Sequence, residues 1–142
     1  MNIYNKNAYV AEKGGLITYI HKSFSNPPKV DNIYKKSIDW EALIVDVQDE
    51  RFARKITIVN YYRPPRDNYS NASIDKFLTP LEVILKKLEK QNSVIILSGD
   101  SNINLLRISK WSKCQEYFNL LTTRSLFSCI TMLQDSLSTV QL

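Results

Sequence analysis

The run from Ser93 to Asn104 constrains this chain more than any other stretch. Val94-Ile95-Ile96-Leu97 is four consecutive apolar residues, three of them β-branched, and predicts a strand covered on both faces. Gly99 then lets the backbone turn as the strand ends. Asp100 and Asn102 are thereby delivered to the edge of a sheet. A carboxylate there can orient or deprotonate a water or hold a divalent cation, while a neutral amide two residues on can donate to a developing anionic oxygen.

The remaining elements follow from local pattern. Lys13-Gly14-Gly15 is a turn into a strand at Leu16-Ile17-Thr18-Tyr19-Ile20-His21, after a polar, irregular stretch from Asn2 to Glu12. Asn26-Pro27-Pro28 stops that strand, and Lys29 to Asp39 reads as a solvated loop carrying Lys35 and Lys36. Trp40 to Val47 and Lys55 to Tyr61 are two further strands. The charged link Gln48 to Arg54 makes antiparallel pairing of these two the economical arrangement. Ile74, Phe77, Leu78, Leu81, Ile84, Leu85 and Leu88 follow helical spacing, with Ser73 as the expected N-cap and Pro80 either kinking the helix or starting its main body. Lys86, Lys87 and Lys90 near its end suit the helix dipole. Lys110 to Thr122, with Trp111, Cys114, Tyr117, Phe118 and Leu121 in register, is a second helix, and Leu126 to Thr131 is strand-like.

Tyr62 and Arg63 leave the third strand just before Pro64-Pro65, at the same sheet edge as Asp100. There the phenol can donate to a phosphate oxygen and the guanidinium can pair with phosphate in two-pronged fashion; a core tyrosine and an exposed arginine are the plainer alternative. His21 is the sole histidine and reads as a surface residue, with phosphate contact as the other option.

Composition narrows the classes. The chain has 142 residues, one domain in size, with a formal charge of +5 that permits polyanionic partners. A single histidine excludes multi-histidine metal sites and leaves little for a Ser-His-Asp triad. Cys114 and Cys129 lack Cys-x-x-Cys spacing and read as reduced thiols of an intracellular protein, nuclear or cytoplasmic. With no apolar run of about 20 residues and no apolar block at the N-terminus, neither membrane insertion nor secretion is expected.

Gly99-Asp100-Ser101-Asn102 resembles the Gly-Asp-Phe-Asn signature of the endonuclease/exonuclease/phosphatase superfamily. Asn60-Tyr61-Tyr62-Arg63-Pro64-Pro65 resembles its Asn-x-Tyr-Arg-Pro-Pro segment, in the version found in endonuclease domains of jockey-like non-LTR retrotransposons. The order of elements agrees from about Lys13 onward, and Ile103-Asn104-Leu105-Leu106 is similar to the tail that follows the signature. Ser101 departs from the usual Phe and predicts a packing gap.

The resemblance implies an α/β (α+β) sandwich, two mixed and largely antiparallel β-sheets flanked by helices, of which residues 1–142 would be a single partial copy. It implies a Mg²⁺-dependent phosphodiesterase that nicks target DNA so that a reverse transcriptase can prime from the 3′ hydroxyl. Asp100 would position or deprotonate water, Asn102 and Tyr62 would hold the scissile phosphate, and Arg63, Asn60 and Thr131 would contact substrate or flank the site. No metal ligand is carried over: the family's metal-binding glutamate lies upstream of the Gly-Gly strand, and Glu41 matches a structural position. Ser138 to Leu142 resembles the residues just before the family's final Asp-His pair, so an interior piece, monomeric and inactive or nearly so, is expected. DNA and, in a full-length element, a reverse transcriptase domain are the implied partners. A non-catalytic nucleic-acid-binding remnant and a phosphoesterase acting on a small substrate are the alternatives.

Overall fold

The computed structural model describes residues 2–6, 16–21, 23–24, 29–33, 39–65 and 70–127. Its elements are β1 (Asn2–Lys6), β2 (Leu16–Ile20), β3 (Lys29–Ile33), β4 (Glu41–Val47), β5 (Ile56–Tyr62), α1 (Asn71–Glu89), β6 (Val94–Asp100), a single 3-10 turn (Leu105–Arg107) and α2 (Ser112–Thr122). This is a mixed α/β chain.

One sheet has the order β3-β4-β5-β6, in which β4 pairs antiparallel with β3 and β5 while β5 and β6 are parallel. A parallel pair needs a crossover, and α1 supplies it. β1 and β2 form a separate antiparallel pair. The period-2 alternation of β4 explains how both faces of the larger sheet are covered. Ala42 and Ile44 face the helices, together with Val59 and Tyr61 of β5, and Leu43, Val45 and Val47 pack with Ile20 of β2 on the other side.

α1 buries Ile74, Phe77, Leu78, Leu81, Ile84, Leu85 and Leu88 as one stripe. Phe77 sits at the centre of an aromatic group, with ring centroids 5.8 Å from Trp40, 5.6 Å from Tyr61 and 6.1 Å from Tyr117. α2 closes over this group through Cys114 and Tyr117. Ion pairs clasp the two helices: Lys113 to Asp75 at 2.7 Å, and Arg124 to Glu89 at 2.7 Å and Glu82 at 3.4 Å.

Several elements differ from what the sequence predicts. The N-cap of α1 is Ser70, whose side chain accepts from the Ser73 amide at 3.2 Å, and the helix passes through Pro80 without ending. The carbonyl left without its donor by that proline belongs to Lys76, which is exposed, so water can serve it. β1 and β3 arise in stretches that read as irregular, because main-chain pairing with β2 and β4 does not require apolar side chains. β6 is an edge strand, and Val94 and Ile96 are 39% and 47% exposed rather than covered on both faces. The second sheet meets the larger one mainly through β2 against β4 and β5. Leu126 and Phe127 are not in a strand, and Ser128 to Thr131, with Cys129, lie outside the described residues.

Gly99 is what lets β6 lie against β5. Its φ is +146°, and a Cβ there would sit 1.9 Å from the Tyr61 carbonyl oxygen. Gly99→Ala is therefore expected to cost at least about 3 kcal/mol, through strain plus displacement of the strand pair. On thermal unfolding this appears as a drop in Tm of roughly 10 °C. An unchanged Tm would mean that the close approach of the strands is dispensable.

Candidate functional site

β5 and β6 end side by side, with Tyr61 opposite Gly99 and Tyr62 opposite Asp100. The ladder continues one step further, as the Arg63 amide donates to the Asp100 carbonyl at 2.8 Å. In the next strand Glu41 stands opposite Tyr62, so Glu41, Tyr62 and Asp100 form one row across three strands. By the alternation of each strand this row lies on the face that carries β2, and Asp100 is exposed at its open end. Asn60 is on the same face, where its side-chain amide donates to the Ile17 carbonyl at 3.3 Å and ties β5 to β2.

After Asp100 the chain turns sharply. Asn102 adopts a left-handed conformation, φ +49°, which asparagine tolerates better than most residues. Its backbone amide donates to one Asp100 carboxylate oxygen at 2.8 Å, and its side-chain amide donates to the other at 3.2 Å and to the Arg63 carbonyl at 2.7 Å. Asn102 therefore aims the carboxylate. Its own amide hydrogens are directed at protein groups.

Arg63 lies beneath this turn. The sequence places its guanidinium at the rim for phosphate, whereas the side chain is 1% exposed and donates to the carbonyls of Ser101 at 3.1 Å and Asn102 at 3.5 Å and to the Ser73 hydroxyl at 3.3 Å. A tight turn leaves carbonyls without partners, and a five-donor fork satisfies several of them together. Arg63 thus joins the site turn to the start of α1.

Behind the turn lies a pair of buried phenols. The Tyr61 and Tyr117 hydroxyls are 2.8 Å apart. Burial pushes Tyr61 well above the ordinary tyrosine range, with Tyr117 and the Asp100 charge adding to it. Burial likewise raises Tyr117, partly opposed by hydrogen bonds from Tyr61 and Ser101. The sequence does not single out this pair, because Tyr61 reads as a strand residue and Tyr117 as a helix-core residue. The signal was available only as two amphipathic residues on elements that converge.

Among the described residues no group of three or more His, Cys, Asp or Glu side chains is placed to hold a metal ion. Mg²⁺ is commonly held by one or two carboxylates together with substrate phosphate oxygens, and Asp100 offers one such carboxylate at the open end. No family model matches this sequence, and no curated protein matches it. Thr131 lies outside the described residues. His21 is exposed, with Nδ1 2.9 Å from the Ser23 hydroxyl, and is no part of the Asp100 turn. The structure therefore brings together Asp100, Asn102, Tyr62 and Arg63, with Asn60 behind them on the sheet.

Two outcomes are expected. Arg63→Met should cost about 3 kcal/mol in chemical denaturation, because carbonyls of the turn lose a buried charged donor; a loss of ligand affinity with unchanged stability would contradict the buried placement. Both phenols are held protonated in the folded chain, so it binds those protons more tightly than the unfolded chain does. Stability from this source is full below pH 10.0, the ordinary tyrosine value, and is lost as pH rises beyond it. Denaturant melts between about pH 8 and 11 should show that loss, and Tyr61→Phe should make it shallower.

Proposed function

We propose that this chain is a phosphodiester-handling domain of the endonuclease/exonuclease/phosphatase kind, in the branch that serves non-LTR retrotransposons. The observation that carries this reading is the meeting of the two signature segments: Tyr62-Arg63 and Asp100-Asn102 are far apart in sequence yet are joined by cross-strand register and by four hydrogen bonds. The packing of β2 against one face of the larger sheet, with helices on the other, supports a partial form of the sandwich expected of that superfamily.

In this reading Asp100, the exposed carboxylate, orients or deprotonates the attacking water. Asn102 is a positioning residue that fixes the carboxylate from two sides. Tyr62, next to Asp100 in the row, donates to a phosphate oxygen of the DNA strand. Arg63 holds the turn from below. Mg²⁺, when bound, would offset the negative charge that builds on the phosphorus oxygens, with Asp100 as the side chain offered to it.

One exposed carboxylate with one phenol is a thin catalytic set. Loss of individual electrostatic groups commonly lowers rate by about a hundredfold to a thousandfold, so we expect this chain by itself to be inactive or nearly so. Supercoiled-plasmid nicking by the purified chain in Mg²⁺, against EDTA and Asp100→Ala controls, tests both parts. The expected result is little or no nicking above the Asp100→Ala background. Robust nicking that requires Mg²⁺ but survives Asp100→Ala would remove Asp100 from the chemistry and sink the assignment.

A further inference from the structure

Four residues beyond Asp100, on the far side of the turn, an open pocket of about 580 Å³ is lined by Asn104, Leu106, Arg107, Lys110 and Trp111. The volume falls within the range of sites that take a small organic group. Among the described residues no acidic side chain lines it. Resting on the phosphodiesterase reading above, we propose that this pocket seats a nucleotide of the DNA strand flanking the phosphate at Asp100, with Arg107 and Lys110 on the backbone phosphates and Trp111 and Leu106 against the base.

The charge pattern favours an anionic ligand. Lys55, Lys86, Lys113, Arg51 and Arg124 each form an ion pair with a carboxylate. Arg107 and Lys110 are both exposed and, like Arg54, Lys87 and Lys90, have no carboxylate partner among the described residues, but they alone of these line the pocket. Two neighbouring cations repel and stay close to an anion far more readily than to each other. A simple anion site, however, has no use for Leu106, 70% exposed, beside an indole. The lining asks for a ligand that is anionic along one edge and flat and apolar on another, which is the make-up of a nucleotide.

Placement agrees. Four extended residues span at most about 14 Å, so the pocket lies within a few nucleotides of Asp100 at about 3.4 Å per step along a strand. The lining is also held in position. Asn104 accepts from the Cys114 thiol at 3.4 Å through its carbonyl and from the Leu106 amide at 3.1 Å through its side chain, while Trp111 packs against the core. α2 begins at Trp111 with no side chain capping its first amides and no acidic residue in its first turn.

The test is binding of a fluorescein-labelled 20-base-pair DNA duplex by the full chain, in EDTA, by anisotropy across a salt series. Arg107→Gln/Lys110→Gln should weaken binding at least about tenfold and reduce the slope of log K against log salt by close to 2, one unit per lost phosphate contact. Both side chains are exposed, so circular dichroism should show the variant folded. Trp40 is fully buried, so quenching of tryptophan emission by the DNA should come from Trp111 and vanish in Trp111→Phe. Unchanged affinity and slope in the double variant, or quenching that survives Trp111→Phe, would overturn the pocket. Asp100-dependent nicking by a chain whose DNA binding ignores Arg107 and Lys110 would overturn the pocket and leave the phosphodiesterase reading standing. Charge-dependent binding at the pocket together with Mg²⁺-dependent nicking that survives Asp100→Ala would do the reverse.

Discussion

Everything at the candidate site depends on two parallel strands approaching more closely than a side chain allows. At Gly99 the backbone of β6 lies so near the Tyr61 carbonyl that only hydrogen fits between them. The tight pairing carries the register to Tyr62 and Asp100 and then to the bond from the Arg63 amide. A one-residue slip would flip Asp100 to the helix side, among Ile95 and Leu97. The steric demand at one glycine therefore decides which face of the sheet presents the carboxylate.

That registry is supported from below by burial. α1 sets a continuous apolar stripe on β4, β5 and β6, and Phe77 touches aromatic rings from the sheet and from α2. Full burial of such a side chain contributes about 1.5–3 kcal/mol, and deleting one leaves a cavity that costs more. The turn after Asp100 is then joined to this core by polar contacts, through Arg63 to Ser73 and through Cys114 to Asn104. The site is a short irregular segment held on both flanks by helices whose places are set by hydrophobic packing.

The elements legible in the sequence are those whose side chains carry a pattern. The stripe of α1 is visible because burial on one face leaves a mark at helical spacing, and β4 and β5 are visible as β-branched and apolar runs because residues on both of their faces are covered. β1 and β3 carry no such mark, since an added strand is held by its backbone. The apolar run Val94 to Leu97 misleads for a related reason: four apolar residues state that a strand forms, and say nothing of how much of the second sheet reaches it. At the site, the meeting of Tyr62 with Asp100 follows from recognising both strand ends. The inward turn of Arg63 does not, because it answers carbonyls of Ser101 and Asn102 whose orientation is fixed only once the left-handed residue at Asn102 is in place.

Ser101 shows how this turn and the core are joined electrically as well as sterically. An aromatic residue is expected at that position from the signature it resembles, and a gap where it is lost. Here Ser101 is half-buried, its hydroxyl accepts from the Ile103 amide at 3.3 Å, and it pulls the pKa of both phenols, Tyr61 and Tyr117, downward. Polar groups thus occupy the region between turn and core, and they are worth keeping buried only because they satisfy one another. The Asp100 charge raises both phenols, so it is felt through the floor of the site. Any cation that neutralises Asp100 relieves that pressure, and any phosphate placed beside it adds to it. The tyrosine pair is accordingly coupled to the charge state of the open end even though no ligand need touch it.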